Sequence, residues 1–520
     1  MLILGGKMNN TNNEKQKELN TQLWKIANEL RGRMDSNEFK NYMLGFIFYR
    51  FISEVFYEEA TKALKSENIS LEEANNDPEI KEALEEEMID KLGYYIEYPY
   101  LFKNIMFHIE NETGEKPIDL ISKGFMNINE SIKKGAGLEE FDNLFSDIDL
   151  LNPKLGNDPL ERNKLVSNIL VNINDILEDS TRDMLGDAFE YCLQQFASDA
   201  GKKGGEFFTP SQVSILMSEL IKTQINKEPK TIYDPTCGSG TLLIKAYNKL
   251  ADKNITKIYG QELNHTSYNT ARMNLLMHKI NYRSFLIKQG DTLKKDEYKE
   301  DKFDVIVANP PFGSKWEHAG LENDPRFLPY PKMAPKSKGE FAFIQHMYYH
   351  LAKDGIMATV APLGVLFRGS SEEMIRKKLI EDYNALDAVI VLPSNLFYGT
   401  GIPACILIFK KQREHKDIFF IDASNCFEKV KTQNKLRDED IEKITNAYKN
   451  REEIEKFSRN VSLEEIQEND FNLNIPRYID TFEDEEEINI DEVLKELEEI
   501  KLQIKEKEEN LKKLFEEINE

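Results

Sequence analysis

Between about residues 205 and 425 short apolar, β-branched runs alternate with helical stretches, and nothing else in the chain restricts its fold as strongly. The runs are Thr231–Tyr233, Lys257–Tyr259, Phe303–Ala308, Ile356–Val360, Ala388–Leu392, Cys405–Phe409 and Ile418–Ile421. Parallel strands need a long crossover between them, usually a helix. The layout therefore predicts an α/β fold: a doubly wound, mainly parallel, Rossmann-like sheet.

Upstream the period changes. Residues 1–20 are polar and rich in Asn and Lys, and are expected to be disordered. Leu4-Gly5-Gly6-Lys7-Met8 is what a purine-rich ribosome-binding sequence and start codon encode when read in frame, so Met8 is the expected start. From Leu23 the apolar positions Ile26, Ala27, Leu30 and Met34 share a helical face. Asp35 or Ser36 then suits an N-cap, with Glu38 and Phe39 opening a second helix through Phe51. Amphipathic segments continue to about residue 155.

The other end is acidic. Glu483 to Glu520 carries 16 acidic and 6 basic residues. Val493, Leu497, Ile500, Ile504, Leu511, Leu514 and Ile518 recur in steps of three and four, interrupted by Lys507. A solvated helix has no use for such a seam, which predicts a coiled-coil-like contact with a partner. The remaining choice is a helix folded back on its own N-terminal domain.

The whole chain has a net charge of −24. Lys and Arg normally supply the phosphate neutralisation behind DNA affinity. Either the substrate is not nucleic acid, or another subunit brings the basic surface. The four cysteines, Cys192, Cys237, Cys405 and Cys426, have no metal-ligand spacing. A reduced, cytoplasmic, metal-free protein is expected. No run of about 18 apolar residues marks a membrane span.

Asp234-Pro235-Thr236-Cys237-Gly238-Ser239-Gly240-Thr241 follows the first strand and opens a helix. Glycines there admit a ligand to the backbone, and the helix N-terminus offers free N–H groups. Glu262, about 20 residues on, ends the next strand, where an acid grips ribose hydroxyls. That pair fits NAD and S-adenosylmethionine alike. Asp291 ends a third strand and suits an adenine amino group, since a carboxylate only accepts hydrogen bonds. Taken alone, it is a common turn former.

Asn309-Pro310-Pro311-Phe312 ends the apolar strand Phe303–Ala308. By itself it is a rigid loop. After a nucleotide pocket in the same sheet, the Asn309 side-chain oxygen and the Pro310 carbonyl become two fixed acceptors for an exocyclic amine. They localise the nitrogen lone pair, while Phe312 offers a face to a flipped base. Upstream, Gly205-Glu206-Phe207-Phe208-Thr209-Pro210, followed by Ser211, reads either as a helix entry or as part of the pocket. Together these blocks resemble the γ-type amino-methyltransferases. The resemblance implies S-adenosylmethionine as cofactor, with Glu206–Ser211 closing over its methionine end. Gly240→Asp is expected to abolish its binding through steric and charge conflict.

Three further blocks resemble the modification subunits of type I restriction-modification systems, N6-adenine DNA methyltransferases. They are Leu23-Trp24-Lys25-Ile26-Ala27, Leu392–Ile402 and Phe471-Asn472-Leu473-Asn474-Ile475-Pro476-Arg477-Tyr478. The resemblance implies that a specificity subunit reads DNA, beside a second modification subunit and a separate motor subunit. No Gly-x4-Gly-Lys-Ser/Thr motif is present, so the motor lies on another chain. The organisation expected is a helical domain at 21–160, the methyltransferase domain at 161–425, a helical extension at 426–482 and a partner-binding helix at 483–520. Three alternatives remain: a standalone adenine methyltransferase, a protein or RNA amino-methyltransferase, and an inactive scaffold.

Overall fold

The computed structural model describes residues 16–26, 34, 36–134, 139–177, 182–200, 208–225, 227–397, 401–430, 433–480 and 490–519. Met8, Glu206 and Phe207 lie outside them. Residues 16–20 are not disordered: they begin helix α1 (16–26), where Leu19 is buried with Leu23 and Ile26 on one face. Helix α2 (Ser36–Leu64) runs well past the expected end at Phe51, because Ile52, Phe56, Ala60 and Leu64 continue the buried stripe at four-residue steps.

Around α2 pack α3 (Leu71–Asn76), α4 (Pro78–Leu92), α5 (Phe102–Glu110), α6 (Pro117–Lys134), α7 (Pro159–Leu177) and α8 (Arg182–Ala200). Local chemistry sets several of their ends. The Ser70 hydroxyl accepts from Glu73 N at 3.2 Å while Ser70 N donates to the Glu73 carboxylate at 2.9 Å, a complete capping box. Asp77 caps α4 ahead of Pro78 at its first position. In the interior, Phe125 and Phe145 stack at 4.1 Å, and Tyr49 from α2 meets both edge-on.

After α9 (Ser211–Gln224) the chain enters a nine-stranded sheet. Its strands are β1 (Thr231–Asp234), β2 (Lys257–Glu262), β3 (Phe285–Gln289), β4 (Phe303–Ala308), β5 (Leu351–Pro362), β6 (Leu386–Val391), β7 (Ala404–Lys410), β8 (Ile418–Asp422) and β11 (Ser458–Val461). Strands β9 (Glu428–Lys429) and β10 (Asn434–Lys435) form a separate hairpin. The order is β11-β8-β6-β7-β5-β4-β1-β2-β3. Five neighbouring pairs are parallel, and β7 lies antiparallel between β5 and β6. The sheet is doubly wound and mainly parallel, as the sequence predicts.

Both faces are buried, which explains the near-continuous apolar runs. Val305 and Val307 of β4 join one core, and Phe303, Ile306 and Ala308 the other. Helices α10 (Thr241–Lys249), α11 (His265–Met277), α12 (Glu340–His350), α13 (Ser371–Glu381) and α14 (Asp438–Asn450) follow in the chain. The segment expected as a purely helical extension also supplies β11, antiparallel to β8. An edge strand needs little apolar sequence: Arg459 and Asn460 are half-buried, and Arg459 forks onto Glu465 of α15 (Leu463–Glu468) at 2.8 and 2.9 Å.

Residues through Ile479 form one compact unit, and Asp480–Glu520 a second. The second carries α16 (Ile490–Asn519). Among the described residues no helix is long and apolar enough to cross a membrane. The four cysteines are free and buried.

Candidate active site

Winding reverses between β1 and β4, from which the chain proceeds outward in opposite directions. Ligands of open α/β sheets bind at the carboxyl ends of the strands flanking such a point. Asp234 ends β1 and Asn309 follows the last residue of β4. Around them lies a cavity of about 420 Å3, within the range of roughly 300–1,000 Å3 usual for small-molecule sites.

The turn after β1 is built from its own backbone. Asp234 Oδ1 accepts from Thr236 N at 2.9 Å, and Gly240 N donates to Cys237 O at 2.8 Å before α10 begins. Gly238 and Gly240 have φ of +53° and +76°, conformations that L side chains resist. Asp234 is only 2% exposed. Burial pushes its carboxyl up to about 8 against the Thr236 N–H bond, with the Glu262 charge adding to the rise.

Glu262, at the end of β2, accepts Gly238 N at 2.9 Å and Asn264 N at 2.8 Å, so the strand-end acid also ties down the glycine turn. Asp291 lines the cavity and turns the chain after β3, its Oδ1 accepting from Leu293 N at 3.1 Å and Lys294 N at 3.3 Å. The turn-former and pocket readings therefore coexist at this residue.

Asn309 donates from Nδ2 to Thr209 Oγ1 at 3.0 Å. Its Oδ1 is buried and accepts no hydrogen bond among the described residues. Leaving a buried acceptor unmatched costs roughly 1–3 kcal/mol, so this oxygen marks a place where a donor belongs. Pro311 lines the cavity, Pro310 is buried, and half-buried Phe312 meets the buried Phe397 ring at 6.0 Å and 62°.

Of the residues singled out in the sequence, Phe208, Thr209, Asp234, Gly238, Ser239, Thr241, Glu262, Asp291, Asn309 and Pro311 share this wall. Pro210, Ser211, Gly240, Pro310 and Phe312 do not line it. Pro210 is the N-cap of α9 and Ser211 its first residue, so the helix entry is realised alongside the wall position of Thr209. The sequence reading missed Lys40 of α2 and Leu193, Phe196 and Ala197 of α8, which close the cavity from the helical side. No local motif announces them.

A buried polar network stands behind the wall. Arg326 donates to Thr292 O at 2.8 Å and Leu293 O at 2.9 Å, and is held by Asp324 at 2.9 and 2.7 Å. It also meets His346 Nδ1 at 3.0 Å, whose Nε2 lies 2.9 Å from the Tyr233 hydroxyl. Burial holds His346 well below the ordinary imidazole range. Asp296 and His350 join at 2.8 Å. This cluster has metal-ligand residue types, but each imidazole nitrogen meets a protein partner and a guanidinium sits among them.

The geometry corrects the expectation for Gly240→Asp. The three atoms nearest a Cβ at Gly240 all belong to Ala271, at 3.5 Å, an ordinary van der Waals distance, and the residue is absent from the wall. Asp there costs about 1–2 kcal/mol for its left-handed backbone. Gly238 lines the cavity, and among the described residues a Cβ there meets nothing within 4 Å. Gly238→Leu is expected to weaken cofactor binding at least tenfold and Gly240→Asp only a few-fold, measured by calorimetric titration. The reverse ranking refutes this assignment.

Known proteins resemble this arrangement over nearly the whole chain. The N-6 DNA Methylase family matches residues 180–487, and the HsdM N-terminal domain family residues 19–173. The methylase subunit of the type I restriction enzyme MpnII from Mycoplasma pneumoniae is 35% identical, covering 97% of this chain and 98% of that one. The MjaVIII methylase subunit from Methanocaldococcus jannaschii is 32% identical over 92% of this chain and 81% of its own. A crystal structure of the type I restriction-modification methyltransferase subunit from Streptococcus thermophilus superposes with a TM-score of 0.82. It is 40% identical and covers 89% of this chain and 100% of that one.

Proposed function

The chain belongs to the N-6 DNA methylase family as a type I restriction enzyme methylase subunit, and from that premise we propose how its site modifies adenine N6 with S-adenosylmethionine. The observation that carries the reading is the buried Asn309 Oδ1, which has no partner among the described residues, on the wall of a cavity shared with Asp234, Glu262 and Asp291.

Those residues suit the cofactor. Glu262 and Asp291 are acceptors for ribose hydroxyls and an adenine amino group, and Asp234 is a buried carboxyl that ionises readily once a cation arrives. Glu206 to Ser211 belong to the methionine side on this reading. When bound, S-adenosylmethionine supplies a methyl group on a positively charged sulfur.

Asn309 Oδ1 and the Pro310 carbonyl accept the two hydrogens of the target amine, which turns its lone pair out of conjugation with the purine. Pro310 and Pro311 fix the loop, so neither acceptor has to be reorganised during transfer. The Phe312 ring stacks on the flipped base. No ionised general base has to remove a proton first.

With −24 net charge the chain recruits DNA through others: a specificity subunit and a second methylase subunit, with a motor subunit added for restriction. At physiological salt the purified chain alone is expected to leave DNA unmodified. With a cognate specificity subunit added, the chain should place N6-methyladenine at one defined sequence, read by single-molecule sequencing. Methylation of cytosine would overturn the chemistry, and site-specific modification by the chain alone would overturn the division of labour.

A further inference from the structure

The cavity wall has an unequal charge distribution that the motifs do not explain. The strand-end acids Glu262 and Asp291 stand on it beside the Asp234 carboxyl, which burial raises to about 8 and so leaves mostly uncharged at neutral pH, and among its described residues there is one cation, Lys40. Lys40 comes from the first turns of α2, outside the sheet and about 190 residues ahead of Asp234. Its position is held from below. The neighbouring Phe39 is fully buried, and its ring meets Phe196 of α8 edge-on at 5.2 Å. Trp24 of α1 meets the same Phe196 at 5.5 Å. Phe196 is itself part of the wall, so the half-buried Lys40 is fixed to the cavity by the packing of α1, α2 and α8.

We propose that Lys40 binds the carboxylate at the amino-acid end of the cofactor, so that the N-terminal helices complete the cofactor site. This rests on the S-adenosylmethionine reading above. The cofactor's sulfonium and ammonium groups suit an acidic wall, but its carboxylate does not and is repelled by the acids already there. The Lys40 ammonium group, from the helical side of the cavity, supplies the missing counter-charge, and a charge-assisted hydrogen bond in a partly dry cavity is among the stronger polar contacts available. The adenine and ribose ends are met by strand-end acids and have no need of Lys40.

The full-length protein is titrated with S-adenosylmethionine, its decarboxylated analogue and methylthioadenosine, followed by calorimetry. Lys40→Met should weaken S-adenosylmethionine about 10- to 100-fold, the size of one charge-assisted bond, and change the two ligands lacking a carboxylate by less than about twofold. Lys40→Arg should recover most of the loss. Retained binding of methylthioadenosine also shows that the variant is folded. Equal weakening of all three ligands by Lys40→Met, or no weakening of S-adenosylmethionine, overturns the assignment of Lys40 while the cofactor reading stands. Wild-type protein that binds none of the three overturns the cofactor reading itself, and the Lys40 assignment with it.

Discussion

Asn309→Ala is expected to lose methylation by at least about 100-fold, the scale of removing one pre-organised polar contact, with cofactor affinity held within a few-fold. The side chain touches Thr209 through Nδ2 and leaves Oδ1 unmatched. Alanine therefore removes an acceptor for the target amine without removing Asp234, Glu262 or Asp291. Its effect on stability should be small and of either sign. The variant loses the Thr209 hydrogen bond, worth about 0.5–1.5 kcal/mol, but it also discards a buried acceptor that no described residue satisfies, a cost of roughly 1–3 kcal/mol. A catalytic group that the fold tolerates at a cost behaves this way; a structural asparagine does not. Asn309→Asp keeps an acceptor toward the amine and should retain more activity than alanine. Methyl incorporation by the assembled enzyme, calorimetric cofactor affinity and a melting curve separate these effects. Near-full activity in Asn309→Ala would refute the assignment.

The strands that carry the chemistry were legible because burial on both faces turns them into short apolar runs with polar or glycine-rich ends. Thr231–Tyr233 and Phe303–Ala308 were found on that signal, and with them the positions of Asp234 and Asn309. Strand β3 spells Phe-Leu-Ile-Lys-Gln and alternates too weakly to stand out, although Gly290-Asp291 marks its end. Strand β11 was invisible for a different reason: an edge strand paired through its backbone to β8 can be Ser-Arg-Asn-Val. The glycine turn is legible as a motif, but which of its two glycines faces the ligand depends on backbone direction: Gly238 lines the wall and Gly240 does not. Lys40 and Phe196 were beyond reach. They enter the cavity only because α2 and α8 pack together beside the sheet, and no spacing in the sequence encodes a contact made over that distance.

Leu497→Asp with Ile504→Asp should abolish co-purification with the specificity subunit while leaving the chain folded and able to bind cofactor. On α16 the described seam residues Leu497, Ile500, Ile504 and Leu511 are 45%, 56%, 52% and 57% exposed. Full burial of such side chains stabilises by roughly 1.5–3 kcal/mol each, so covering these four against a partner favours association. Val493, Leu514 and Ile518 of the same stripe have side chains outside the described residues. Two aspartates in the seam must either be desolvated without a partner or keep the seam apart, and both outcomes oppose association. The catalytic cavity belongs to the unit ending at Ile479, and α16 to the other, so cofactor titration serves as the control for folding. Seam residues that serve a partner leave the melting point of the isolated chain almost unchanged when substituted. A melting point lowered by several degrees would mean that the helix packs on its own chain, and an intact complex would mean that the seam is not the coupling; either result overturns the proposal.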